Sequence, residues 1–297
     1  MTDNPTPRVL IIAGSDSSGG AGIQADIKTC AAFGVYSATA ITAITAQNTL
    51  GVQRVEALPA DLVADQMRSV LRDIGADVIK IGMLANGEII RAVADVIIND
   101  AEDCTVVLDP VMVATSGDRL LEDAAIDCPK EIMKELLLPL ADVVTPNIDE
   151  AEILTGMRPD DVDGLIQAGE RLLEMGAYAA LMKGGHLESK SITDVLVAPD
   201  GNHIMSAPRI YSRHTHGTGC TLASAVAALL AQGAPLEIAV REAREFVFEA
   251  IRTAPKLGKG NGPLNHGLGN GLGTGLGQDE KPAEQDANNP FAALKDL

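Results

Sequence analysis

Five short apolar runs constrain this chain more than any other feature: RVLIIA (8–13), DVIKIG (77–82), CTVVLD (104–109), ADVVTPN (141–147) and AYAALMKGG (177–185). None alternates apolar with polar residues, so each reads as a strand covered on both faces. Stretches of helical spacing separate them, such as Leu62, Met67, Val70, Leu71 and Ile74 within 61–74, with others at 87–98, 148–155 and 161–175. A helix in IQADIKTCAAFG (23–34) leads to a Thr- and Ile-rich second strand, YSATAITAITA (36–46). ITDVLVAP and HIMSAP read as a later hairpin. Residues 218–232 and 235–253 read as two closing helices, the second opening at Pro235, where proline is tolerated. This alternation predicts an α/β chain of three layers, with a mostly parallel central sheet and helices on both faces.

The composition suits that architecture. Hydrophobic residues make up 46% of 297, but aromatics only 2%, so aliphatic strands must be covered closely by Ala-rich helices. A net charge of −18 argues against a nucleic-acid partner, which needs a basic surface. Cys30, Cys104, Cys128 and Cys220 are widely spaced and form no CxxC pair. The N-terminus is polar and no apolar run is long enough for a membrane span. These features predict a soluble protein of a reducing compartment, the cytoplasm. Residues 8–266 form the expected domain, after a disordered 1–7. From 267 to 297 a Gly-rich repeat, GLGNGLGTGLG, and a polar stretch predict a disordered tail.

In parallel sheets ligands bind beyond the carboxyl ends of the strands, so the loops leaving strands are the ones to weigh. Gly20 to Ala25 fits the dinucleotide pattern GxGxxA, but it lies six residues past the strand, and Ile41–Gln47 lacks the answering carboxylate. In HGTGC, Gly217, Thr218 and Gly219 precede a helix whose first amides lack internal partners, a setting that attracts anions. The same field would lower the pKa of Cys220 and make it a proton acceptor. A tight turn with a small buried cysteine explains that stretch equally well. In TPNIDE, Asn147 and Glu150 could hold Mg²⁺ through waters, or simply cap a helix. Lys183 ends a strand in MKGGH, where it could meet a nucleotide phosphate or merely be exposed. Asp109 ends another strand and could support the metal, while Asp26 and Gln47 lie where a small ligand would sit. His214 and His216 have no third ligand nearby and do not make a zinc site.

The order of these stretches carries a resemblance. IAGSDSSGGAGIQADIKT, TAQNTLGV, KIGML, VLDPVM, TPNIDEAEILTG, LMKGGH, THGTGCT and GKGNGP together resemble the ribokinase-like superfamily. Within it they resemble the hydroxymethylpyrimidine and phosphomethylpyrimidine kinases of thiamine biosynthesis, from about Arg8 to His266. The resemblance implies the three-layer ribokinase-like fold, a homodimer, and ATP with Mg²⁺ as cofactors. It implies phosphorylation of 4-amino-5-hydroxymethyl-2-methylpyrimidine and then of its monophosphate. Cys220 would stand where most of the superfamily has an aspartate base, with Gly217, Thr218 and Gly219 as the anion hole. Asn147 and Glu150 would be the magnesium pair, with Asp109 supporting, and Lys183, Thr145 and Asn147 would face the nucleotide. Gly14, Ala21, Asp26, Gln47, Met83 and Val111 would line the pyrimidine pocket. The competing readings are a pyridoxal kinase of the same fold and a pyrimidine-sensing module without catalysis.

Overall fold

The computed structural model describes residues 6–112, 128–185 and 190–268. The expectations for residues 1–5 and 269–297 lie outside the described residues. Strand β1 (Arg8–Asp16) shows why the apolar runs do not alternate. Leu10 and Ile12 face one helical layer and Val9, Ile11 and Ala13 the other. With β2 (Tyr36–Asn48), β3 (Gly51–Ala57), β4 (Val78–Ile81), β5 (Thr105–Leu108), β6 (Val143–Val144), β7 (Ala179–Met182), β8 (Ser191–Ala198) and β9 (Gly201–Pro208), it forms one sheet. The order is β3-β2-β1-β4-β5-β6-β7-β8-β9. The central strands β2, β1, β4, β5, β6 and β7 pair in parallel, while β3, β8 and β9 are antiparallel additions at the two edges.

Two apolar layers flank this sheet. On one face α2 (Ala60–Asp73), α3 (Gly87–Asp100), α5 (Ile148–Thr155) and α6 (Val162–Glu174) bring Met67, Ile89, Ile90, Ala151 and Leu172 onto the strands. The short α4 (Pro129–Ile132) continues through a π-helical turn and a 3₁₀ turn to Leu140 on that same side. On the other face lie α1 (Gly22–Ala32), α7 (Thr218–Ala231) and α8 (Leu236–Arg252). Ala223, Ala225, Ala227 and Ala228 of α7 are fully buried, so small side chains let this helix lie close to its neighbours.

Sequence and structure part company in three places. β1 runs on to Asp16 rather than ending at Ala13. β3 has no counterpart among the expected strands, because an edge strand with Gln53, Arg54 and Glu56 exposed shows no apolar run. The 129–140 helical turns, interrupted by Pro139, lack a clear 3.6-residue period. None alters the layer order. β1 has β2 on one side and β4 on the other, so the chain reverses its winding there and opens a crevice at the carboxyl edge.

Candidate active site

The loop leaving β1 is shaped by one carboxylate that sequence reasoning passed over. Asp16, 3% exposed, accepts from the Ser18 amide (2.8 Å) and hydroxyl (2.8 Å) and from the amides of Gly20 (3.1 Å) and Ala21 (2.8 Å). Its Oδ2 also meets His216 Nε2 at 2.8 Å, tying this loop to the segment before α7. Burial raises the Asp16 carboxyl, but the bonds from His216 and Ser18 outweigh it and hold the group down at about 2. Asp16 thereby occupies two of the amides that a dinucleotide phosphate would need. His216, first weighed as one of a histidine pair, works here as a strut.

Behind that loop, Gly22 has φ +55°, and a Cβ there would collide with the Gly14 carbonyl oxygen. Gly14 is as tightly fitted, since a Cβ would lie 3.1 Å from Met83 Sδ. Thr42 Oγ1 donates to the Met83 carbonyl at 2.6 Å, and Thr45 Oγ1 donates to Gln47 Oε1 at 3.1 Å. Gly14, Ala21, Gln47, Met83 and Val111 therefore line one end of a cleft. Asp26 does not join them. It is fully buried on α1, beneath the cleft, with Lys80 Nζ 3.0 Å from both its oxygens and Ser224 Oγ donating at 2.7 Å. The expectation that Asp26 lines the pyrimidine pocket is corrected on that ground.

The first turn of α7 supplies the centre. Gly217 is its N-cap at φ +83° and offers no capping side chain. Thr218 turns both its amide (3.2 Å) and its hydroxyl (2.7 Å) back to the Thr215 carbonyl, so it is spoken for within the turn. The amides of Gly219 and Cys220 follow in that turn, where no helical carbonyl can receive them. One expectation about Cys220 fails: its thiol is pushed up to about 12, not lowered. Burial is the larger influence; the nearby Lys80 ammonium opposes it, while Asp26 and Asp109 add to it.

On the far side of Cys220 lies a charged cluster. Lys183 Nζ donates to Asp109 Oδ1 at 3.2 Å and stands 3.7 Å from Glu150 Oε2. Thr145, expected to face the nucleotide, is instead fully buried off the cleft wall, where its Oγ1 donates to the same Asp109 oxygen at 3.2 Å and steadies that carboxylate. A Cβ on Gly219 would sit 3.4 Å from Lys183 Nζ and 3.7 Å from Asp109 Oδ2, so bare backbone lets the cluster approach the helix start. Lys183 is held in place by its amide, which bonds the Pro146 carbonyl, and by the turn after it, where Gly184 N donates to Asp194 Oδ1 at 2.8 Å. Burial lowers the Lys183 pKa, but Asp109 and Glu150 outweigh it and keep the ammonium charged.

Asn147 and Glu150 form a capping box on α5: Asn147 Oδ1 accepts the Glu150 amide (2.9 Å), and Glu150 Oε2 accepts the Asn147 amide (2.8 Å). The plain capping reading thus holds for this pair, and the same geometry points the Glu150 carboxyl at Asp109 and Lys183. Burial raises Glu150 to about 7, with Lys183 opposing and Asp109 adding. Asp109 Oδ2 is buried without a hydrogen-bond partner. Two crowded carboxylates with one orphaned oxygen fit a hydrated Mg²⁺ that brings its remaining oxygens from water and phosphate.

Acceptor end, helix start and charged cluster share one cleft of about 1780 Å³, which continues past β9 to α8. That exceeds the roughly 300–1,000 Å³ of a single-ligand pocket and suits two ligands end to end. Lys80 and Asp16 are the site residues the sequence reading missed. A lone lysine inside the buried strand VIKI was the available signal, because such a charge must find a partner.

Comparison with known proteins bears on this geometry. A family model described as phosphomethylpyrimidine kinase matches residues 16–265. The chain is 48% identical over 264 residues to the thiamine biosynthesis bifunctional protein ThiED of Geobacter sulfurreducens, covering 88% of this chain and 53% of that protein. It therefore spans about half the length of that relative. It is 48% identical over 261 residues to the hydroxymethylpyrimidine/phosphomethylpyrimidine kinase of Streptomyces coelicolor, covering 88% of this chain and 94% of that one. A solved structure of the pyridoxal kinase from Staphylococcus aureus, in complex with AMP-PCP and pyridoxal, matches with TM-score 0.81 at 34% identity, covering 91% of this chain and 96% of that chain.

Proposed function

The chain belongs to the phosphomethylpyrimidine kinase family, and on that premise we propose that it phosphorylates hydroxymethylpyrimidine, and then its monophosphate, at the expense of ATP. The product is the pyrimidine diphosphate used in thiamine biosynthesis. One observation carries the reading: an apolar and amide-lined acceptor end and a lysine–carboxylate cluster share a cleft, with Cys220 and the first turn of α7 also on its wall. Phosphoryl transfer asks chiefly for positioning and charge stabilisation, which these parts supply.

In this reading Gly14, Ala21, Met83 and Val111 hold the pyrimidine ring, and the Gln47 amide pairs with its nitrogen edge. Gly217, Gly219 and the Cys220 amide receive the transferring phosphoryl group. Lys183 neutralises phosphate charge, with Thr145 and Asn147 fixing the wall beside it. Asp109 and Glu150, with Asn147, would hold Mg²⁺, which when bound offsets the charge of the ATP phosphates. As the acceptor oxygen bonds to phosphorus, its proton passes to the Cys220 sulfur. The thiol must first be ionised, and a group near 12 spends little time so. Residues 8–266 form the kinase domain, in a cytoplasmic homodimer, and 267–297 take no part in catalysis.

The test is incubation with hydroxymethylpyrimidine, ATP and Mg²⁺, following mono- and diphosphate by chromatography. Formation of neither product removes the proposal, and monophosphate alone removes its second step. The likeness to a pyridoxal-bound kinase favours pyridoxal as a second acceptor. A ratio of kcat/KM values on the two alcohols assigns the principal one. ATP turnover dependent on the pyrimidine separates the enzyme from a sensing module.

A further inference from the structure

Lys80 has no assigned part in this chemistry, yet its surroundings are hard to explain as packing alone. It is fully buried in the central strand β4, on the face covered by α1 and α7. Both Asp26 oxygens lie 3.0 Å from its ammonium, and Ser224 of α7 fixes the same carboxylate at 2.7 Å. Cys220 precedes Ser224 by one turn on the same face of α7. A Cβ added at Gly82 would lie 3.0 Å from Lys80 Nζ, and Lys80, Gly82 and Cys220 all line the cleft. A buried ion pair seldom improves stability over apolar packing, so its position under the reacting centre needs another reason.

We propose that the Lys80 ammonium, anchored by Asp26 and Ser224 beneath Cys220, is a positioning charge that holds the negative sulfur while the acceptor hydroxyl loses its proton. The balance is simple. The acceptor O–H bond breaks and an S–H bond forms at Cys220, while the oxygen bonds to phosphorus and ADP leaves with the electrons of the broken P–O bond. The thiol then releases its proton to solvent. The charged groups facing the sulfur are Lys80 and Asp26 below it, Asp109 at the end of β5 and Lys183 at the end of β7, with the Gly22 amide also directed at it. Of the two ammonium groups, Lys80 weighs more on the sulfur and favours its ionised form against burial and two carboxylates.

The inference rests on Cys220 as proton acceptor, but its test reads the sulfur directly and does not need turnover. Iodoacetamide labelling of Cys220 in the full chain, followed by peptide mass spectrometry at fixed pH, reports the thiolate fraction. Lys80→Met is expected to slow labelling at Cys220 by about tenfold or more, the effect of one pKa unit. Lys80→Arg keeps the charge and restores most of the rate. Asp26→Asn removes an opposing charge and speeds labelling. In Lys80→Met kcat falls while KM for ATP changes little. Unchanged labelling in folded Lys80→Met, or faster labelling in both Lys80→Met and Asp26→Asn, overturns the proposal, because a purely structural pair opens the buried sulfur alike from either side. Should Lys80→Met fail to fold, Lys80→Gln is read in its place, with slower labelling again expected. Activity surviving in Cys220→Ala would instead remove the base reading, leaving the labelling result to stand by itself.

Discussion

Gly217 and Gly233 bracket α7 and share one backbone conformation, with φ of +83° and +84°. Their surroundings differ. A Cβ at Gly233 meets nothing within 4 Å, whereas at Gly217 it would overlap the Gly20 carbonyl oxygen and lie 3.2 Å from Ala21 Cα. Gly233→Ala thus bears only the left-handed strain, roughly 1–2 kcal/mol. In a domain of this size that lowers Tm by about 2–4 °C per kcal/mol. Gly217→Ala bears the same strain and a collision that its neighbour cannot yield to, because Asp16 Oδ2 holds the Gly20 amide at 3.1 Å. The helix start must shift instead, carrying the Gly219 and Cys220 amides with it. A displacement of about 1 Å in a positioned group can cost about 100-fold in rate. Scanning calorimetry with ADP-release kinetics on the paired variants should show Gly233→Ala near wild type in kcat and Gly217→Ala at least about 100-fold down. Equal Tm losses with kcat within a factor of about three for both would refute the reasoning, since the collision is the only difference invoked.

Four further outcomes are expected. Cys220→Ala should fold normally and lose about 10²–10⁴-fold in single-turnover rate, while the wild-type rate climbs with pH from 6 to 9 because the thiol near 12 is mostly un-ionised there. A wild-type rate independent of pH would contradict a thiolate base. Chelation of Mg²⁺ should stop turnover, and Glu150→Gln should raise the Mg²⁺ needed for half activity, read by titrating the metal at saturating ATP. Asp16 sits at about 2, below its unfolded value of 3.8, so its stabilisation is present above pH 4 and lost as pH falls through 2. Asp16→Asn should cost roughly 2 kcal/mol near pH 7 in urea unfolding, with the gap to wild type narrowing under acid. A chain ending at Leu268 should keep its turnover; a collapse in activity would give the remaining residues a structural part.

The apolar runs, the helical spacings and the glycine turns determined much of this protein by themselves. A strand such as VVL at 106–108 can be satisfied only between two layers, so layer order follows from local pattern. HGTGC and TPNIDE likewise declared a helix start and a capping box from short-range chemistry. Long-range charge was not legible in that way. Asp26 reads the same whether it faces a ligand or a lysine 54 residues away, and only packing chose the lysine. Asp16 and His216 are 200 residues apart, so no local rule joins them. The Cys220 thiol shows the limit most plainly. A helix start predicts a lowered pKa, but burial next to Asp26 and Asp109 raises it, because desolvation depends on what the tertiary fold stacks around an atom.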